Sequence, residues 1–260
     1  MQVIDFNRLI SEKEELKEKF LSQKPFRYLI IDHFLKTDEA EKILREYPPV
    51  NQKEWVDSNG EHSKKKWAQP CVEGSVATDF YREVNSVDFL NFIGEITGIP
   101  ELLADHNLTG AGYHQILDGG FLNVHIDFNR YNGLERRLNL IVYLNQGWEE
   151  EYGGYLELWD METKTRVENI APTFNRCVIF ETNETSYHGH PVPLKTKGKT
   201  TRKSLSTYYY TKNRTDIEPA PTHTTIFIHT RGLASIISSK LRYLGQRIKK
   251  SALKRLTARK

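Results

Sequence analysis

Cysteine is almost missing from this 260-residue chain: only Cys71 and Cys177 occur, far apart and outside any CxxC pattern. That excludes a disulfide framework and a thiolate-built metal site. Both cysteines read as reduced and structural, in a reducing compartment. No apolar run reaches the about 18 residues a spanning helix needs. The opening MQVIDFNRLISEKEELKEKF is too acidic for a signal peptide and lacks its apolar core. The expected setting is therefore cytoplasmic. Acidic residues are absent from 231–260, which carry ten Lys/Arg. The overall net charge of +3 hides this asymmetry, because residues 1–230 hold 27 basic and 34 acidic side chains, a net of −7. No internal repeat and no low-complexity stretch is evident. Hydrophobic content of 38% and charged content of 27% fit a soluble globular protein with a sizeable core.

What is present divides into three parts. Residues 1–24 read as a helical extension, with a charged amphipathic helix over 7–22. Residues 25–230 read as one catalytic domain, and 231–260 as a basic amphipathic tail. Within the domain, 25–35 reads as a buried strand. Thr37 or Asp38 is expected to cap the next helix, which Pro48-Pro49 stops. Residues 79–98 read as a helix. Residues 50–70 are polar, with Trp55, Trp67 and a Lys64-Lys65-Lys66 run. They read as a solvated loop, or as a lid that closes over a substrate. From about 111 onward short strands alternate with glycine-marked turns. The candidates are 112–117, 121–128, 138–145, 155–160, 165–170, 175–181 and 203–211. That spacing predicts a mostly β, α+β protein: a β sandwich or barrel with helices packed outside.

The chemistry gathers at Gly119-Gly120-Phe121-Leu122-Asn123-Val124-His125-Ile126-Asp127-Phe128-Asn129. In extended backbone, residues two apart share a side. His125 and Asp127 would then aim an imidazole and a carboxylate at one point. They supply two-thirds of a 2-His-1-carboxylate facial triad, the set that holds Fe(II) with positions left open. The third ligand must be a histidine brought near by the fold. His188 lies 61 residues after Asp127, and Arg202 lies 14 further on, where Arg202-Lys203-Ser204 leads into a strand. Arginine is the residue that binds a carboxylate in two-pronged fashion. His190 competes with His188 for the metal, or lines the entrance. The strand 138–145 is apolar on both faces, and one face carries Asn139, Ile141 and Tyr143.

Four segments, GGFLNVHIDFN, RRLNLIVYLNQGWEEEYGGYLELW, CVIFETNETSYHGHPVPL and RKSLSTYYYT, resemble in order those of Fe(II)- and 2-oxoglutarate-dependent dioxygenases of the prolyl 4-hydroxylase-like branch. The opening PFRYLIIDHFLKTDEAEKILREYPP resembles that branch too, so the likeness covers about 25–212. It implies a double-stranded β-helix (jelly-roll) core. It implies Fe(II) on His125, Asp127 and His188, with Arg202 and Tyr143 on the distal carboxylate of 2-oxoglutarate and Ser204 beside them. It implies O2 as co-reactant, ascorbate as an optional addition, and hydroxylation of an unactivated C–H with succinate and CO2 as coproducts. Phe180, Leu156 and Tyr208 match apolar wall positions. His114 reads as a hydrogen-bonded core histidine or an active-site one. Asn129 and Arg137 read as a turn residue and a surface arginine, or as substrate contacts.

The implied substrates are a prolyl residue, an amino acid, or a sugar- or lipid-linked metabolite. The tail reads as a helix packed on the domain, a peripheral anchor to anionic lipid, or, least favoured, a nucleic-acid contact. Two rival readings stay open. One is a cupin-type metal enzyme that ignores 2-oxoglutarate. The other is an inactive binding module carried to a membrane by its tail.

Overall fold

The computed structural model describes residues 1–50, 56–57, 60–69, 73–105, 108, 111–215 and 220–228. The basic tail, Trp55 and Cys71 lie outside the described residues, while Cys177 is buried with a free thiol that burial pushes well up in pKa. Among the described residues no helix is long and apolar enough to cross a membrane.

The chain opens with two short helices, α1 (Phe6–Ser11) and α2 (Lys13–Ser22), where the periodicity predicts one. The seam falls at Glu12; Leu9, Leu16 and Phe20 are buried in the core, Phe6 packs against it, and Ile10 stays in solvent. Strand β1 (Tyr28–Ile31) is shorter than the predicted 25–35. Helix α3 (Thr37–Arg45) starts at Thr37 but is flanked by Lys36, so neither Thr37 nor Asp38 caps it. Two strands, β2 (Val56–Asp57) and β3 (Ser63–Gln69), occupy part of the segment expected to be a loop. The predicted helix 79–98 is two, α4 (Val76–Val84) and α5 (Val87–Thr97). Ser86 separates them and caps the second by accepting a hydrogen bond from Phe89 N at 3.3 Å.

The remaining strands are β4 (Gly112–Ile126), β5 (Arg130–Tyr131), β6 (Leu134–Tyr143), β7 (Leu156–Asp160), β8 (Thr165–Ile170), β9 (Arg176–Glu181), β10 (Tyr187–His190), β11 (Arg202–Thr211) and β12 (Ile226–Phe227). They form one antiparallel sheet in the order β1-β9-β6-β11-β4-β10-β7-β8, with β3 and β12 along the far side of β4. The glycines at 119 and 120 do not end a strand, as expected, but bend one. The half of β4 before them pairs with β11 through Gly112–Ile116, and the half after them pairs with β10 through Leu122 and His125. The sheet therefore curls over itself, and its two arms enclose a cavity. Gly119 takes a φ of +74°, and a Cβ on Gly120 would lie 2.7 Å from Leu117 O and 2.9 Å from Lys64 O. Only glycine lets the backbone cross that closely.

Period-two alternation sorts the sheet into an outer and an inner face. Leu138, Leu140, Val142, Ile179, Leu205 and Tyr209 join Phe80, Phe89, Ile93 and Ile96 of α4 and α5 in the main core. Each fully buried side chain of this kind contributes roughly 1.5–3 kcal/mol. The intervening Tyr143, together with Leu156, Leu158, Val178 and Phe180, packs on the inner side. Asn175 ties the N-terminal part to this frame: its amide accepts from Leu35 N and donates to Leu35 O, both at 2.8 Å.

Candidate active site

Three donors converge in one cavity. His125 is the last residue but one of β4, Asp127 follows the strand, and His188 of β10 sits directly across the ladder from His125. One ligand atom from each lies within 4.8 Å of the other two. Nε2 of His125 is 3.5 Å from Asp127 Oδ1, and Nε2 of His188 is 3.7 Å from Asp127 Oδ2. Each imidazole is turned by its own strand. His125 Nδ1 donates to Asn123 O and His188 Nδ1 to Ser186 O, both at 2.9 Å. A carbonyl can only accept, so Nδ1 carries the proton in both rings and both Nε2 lone pairs face the shared point. Such outer bonds orient metal-ligating histidines. Burial, seconded by His125, pushes His188 down to about 4, which keeps it a neutral ligand.

The carboxylate is equally well set. Burial pushes Asp127 up, but the opposing effects, led by the guanidinium of Arg136, outweigh it and hold the group well below the usual carboxylate range. Arg136 Nη2 lies 3.4 Å from Oδ2, and Asn139 Nδ2 donates to the same oxygen at 3.2 Å. Arg136 is itself almost wholly buried, its Cζ 3.3 Å above the Tyr208 ring and 4.2 Å from the Phe128 centroid. The donor set, two imidazoles and one carboxylate at a partly open cavity, fits Fe(II).

Arg202, Tyr143 and Ser204 line the same cavity. Arg202 Nε donates to Gly154 O at 2.7 Å and Nη2 to the Tyr143 hydroxyl at 3.1 Å. Among the described residues no carboxylate pairs with this buried guanidinium. A buried cation without an anion is costly, so the site fits a ligand carboxylate. The Tyr143 oxygen accepts from Arg202, which leaves its own proton free to donate. Ser204 lies opposite Tyr143 across the β6–β11 ladder.

Leu156 and Tyr208 line the cavity, and Phe180 packs its ring 4.5 Å from that of His188. His114 lines the cavity as well, with Nδ1 3.4 Å from Ser206 Oγ. His190 does not join the three donors. It lines the cavity with both ring nitrogens buried and unpartnered. Burial, then Arg202 and Lys66, holds it well below its usual pKa. Asn129 is not at the cavity. Its side chain holds the C-terminal segment by donating to Pro221 O at 2.9 Å and accepting from His223 N at 3.0 Å. Arg137 is buried rather than on the surface, and donates to Thr211 Oγ1 at 3.2 Å. Lys195, Lys197 and Lys199 are exposed loop residues. Two contributors escape sequence reasoning: Arg136 behind Asp127, and Lys66, which reaches the cavity from β3.

Gly189 gives a direct test of how the two histidine strands are held. A Cβ there would meet Asn123 O at 2.8 Å and Val124 Cα at 2.9 Å. Asn123 O is the acceptor that orients His125. Gly189→Ala is expected to lower stability by about 1–3 kcal/mol through overpacking. It should also weaken Mn(II) binding by ~10–100-fold, as disturbed outer bonds do. Urea denaturation and Mn(II) titration read the two effects.

A sequence profile described as the 2OG-Fe(II) oxygenase superfamily matches residues 111–210. A mouse protein named prolyl 3-hydroxylase OGFOD1 is 33% identical over 79 residues, which span 29% of this chain and 14% of that protein. A Pseudomonas putida prolyl-4-hydroxylase structure aligns with a TM-score of 0.57 at 15% identity, covering 76% of this chain and all of that one. A Trichoplax adhaerens prolyl hydroxylase, solved with a hypoxia-inducible-factor peptide, aligns at 0.58 and 17%, covering 78% of this chain and 92% of that one. These structural likenesses show the fold, the double-stranded β-helix.

Proposed function

We propose that this chain, whose residues 111–210 match the 2OG-Fe(II) oxygenase superfamily profile, hydroxylates an unactivated C–H bond with 2-oxoglutarate as cosubstrate. The observation that carries this is a pairing of two sites: three inward donors on His125, Asp127 and His188, and a buried arginine with no carboxylate of its own. His125, Asp127 and His188 would hold Fe(II). Arg202 and Tyr143 would hold the distal carboxylate of 2-oxoglutarate, with Ser204 beside them. Bound there, metal and cosubstrate supply oxidation by O2: one oxygen atom enters the substrate C–H and the other enters succinate, as CO2 leaves.

The protein's own part is placement. The backbone carbonyls of Asn123 and Ser186 keep both Nε2 lone pairs aimed inward. Arg136 and Asn139 keep Asp127 anionic and fixed. Ile141, Leu156 and Tyr208 form an apolar wall that limits water. The names of the relatives support a prolyl residue as substrate, and a prolyl side chain suits such a wall. The chain spans only 14% of the curated relative's length, so this substrate rests on the site as much as on the likeness.

The test is succinate release from 2-oxoglutarate, Fe(II) and a panel of proline-containing peptides, with a search for a +16 Da product. The expected result is peptide-stimulated succinate formation that requires all three components. Turnover that proceeds without 2-oxoglutarate would sink the proposal in favour of a cupin-type reaction.

A further inference from the structure

The segment Ser63-Lys64-Lys65-Lys66-Trp67 contains three consecutive lysines that would be expected to face water. Lys64 and Lys65 do, whereas Lys66 is half-buried. The ladder between β3 and β4 slips between Lys64 and Lys66, and Lys65 adopts a left-handed φ of +50°. A bulge of this kind re-aims the next side chain, and such bulges gather beside active sites. The effect here is to turn Lys66 into the cavity that holds His125, Asp127 and His188.

Lys66 has no partner in contact, although the Asp127 carboxylate, already paired with Arg136, attracts it through space. Among the described residues no hydrogen bond or ion pair holds its ammonium. It stands opposite Ile116, which on its other side pairs with Arg202, so Lys66 and Arg202 flank one position of β4. Two strand spacings separate them, roughly 10 Å. Beside Lys66 is His190, 3% exposed, lining the same cavity with neither ring nitrogen hydrogen-bonded. A neutral imidazole always carries one N–H donor, so the pair offers an ammonium and an N–H to the same space.

Charge balance points the same way. A dianionic cosubstrate offsets a divalent metal, and Arg136 offsets Asp127. Two positive charges then remain in the cavity, and Lys66, half-buried, is the one with no carboxylate assigned to it.

We propose that Lys66 and His190 form an anion subsite that holds a carboxylate or phosphate group of the prime substrate, close to the C–H that reacts and separate from the Arg202 position. The subsite rests on the hydroxylase reading for its place beside the reaction, and it adds a substrate class: molecules or residues with an acidic group near the oxidised carbon.

The experiment uses the full chain loaded with Mn(II) and 2-oxoglutarate, without O2. Calorimetric titration with inorganic phosphate and with acetate reads the subsite. L-proline against L-prolinamide reads the same charge on a matched ligand. Phosphate should bind the parent protein, bind K66M about tenfold more weakly, and bind K66R within about threefold of the parent. H190F, which removes both nitrogens, should weaken phosphate by several-fold. L-proline should outbind L-prolinamide in the parent, and K66M should abolish that preference. The affinity for 2-oxoglutarate should move less than about threefold in K66M, whereas R202M should lose it.

Phosphate and acetate that bind K66M as tightly as the parent, or fail to bind the parent, overturn the subsite. So does a K66M variant that loses 2-oxoglutarate as fully as R202M, because Lys66 would then be a second clamp on the cosubstrate. A protein that takes up neither Mn(II) nor 2-oxoglutarate refutes the hydroxylase reading instead. In that case the phosphate titration of the metal-free parent and K66M still reads the subsite. Circular dichroism of each variant separates a lost fold from a lost contact.

Discussion

Asp127→Ala should remove metal binding and turnover together, and should also cost more stability than any other single change at the site. Its carboxylate lies between Nε2 of His125 and Nε2 of His188, so its loss leaves two neutral donors where three groups met. Disturbing only the outer bonds of such a site typically costs ~10–100-fold in affinity, and loss of a ligand should exceed that range. The stability effect has a separate cause. Arg136 is 1% exposed and has Asp127 at 3.4 Å as its anion. Breaking a buried pair by deleting one member costs about 3–5 kcal/mol, because the remaining charge stays buried and uncompensated. Asp127→Asn separates the two effects only in part, since it keeps the volume but still leaves Arg136 without a negative partner. The cleaner separation is the double variant Asp127→Ala with Arg136→Met, which should recover stability without recovering metal. Mn(II) titration followed by spin resonance, with urea denaturation of the metal-free proteins, reads both quantities. Mn(II) binding within about threefold of the parent in Asp127→Ala would remove this residue from the metal centre.

Much of the arrangement follows from short-range pattern. The inner face of β6 is readable because Asn139, Ile141 and Tyr143 are two apart, and all three line the cavity. His125 and Asp127 are readable for the same reason. His188 and Arg202 follow from residue chemistry and order along the chain. What is hidden depends on backbone angles or on distant partners. The glycines at 119 and 120 look like a strand end, yet pairing continues through the bend because β3 and β10 supply partners beyond it. Lys66 is hidden because the left-handed turn at Lys65 has no glycine or asparagine to mark it. Arg136 precedes an apolar strand and reads as a solvent-facing end. Its burial depends on Tyr208 and Phe128, which come from other parts of the chain. The break between α4 and α5 at Ser86 was open to reading, since a serine before an acidic first turn is a common helix start.

Arg202→Met should raise the dissociation constant for 2-oxoglutarate by ~100-fold or more and leave Mn(II) binding unchanged. The guanidinium is buried and already oriented: Nε is fixed on Gly154 O at 2.7 Å and Nη2 on the Tyr143 hydroxyl at 3.1 Å. The remaining N–H groups need no further ordering before they meet a carboxylate, so most of the interaction appears as affinity. Hydrogen bonds to a charged group contribute about 1.5–3 kcal/mol each, and two of them account for at least a hundredfold. Tyr143→Phe removes one donor and one constraint on Nη2, and should weaken binding by roughly tenfold. Ser204→Ala removes a cavity hydroxyl beside the pair, and should weaken it by only a few-fold. This ordering, arginine above tyrosine above serine, distinguishes a carboxylate clamp from a merely structural arginine. If Arg202 served packing alone, Tyr143→Phe would leave 2-oxoglutarate affinity untouched, and Arg202→Met would lower the melting temperature without selecting between ligands. Anaerobic calorimetry with 2-oxoglutarate and with 2-oxobutyrate, which lacks the distal carboxylate, completes the test. The parent should prefer 2-oxoglutarate strongly, and Arg202→Met should bind the two alike; a preference that survives the substitution would place the clamp on another residue.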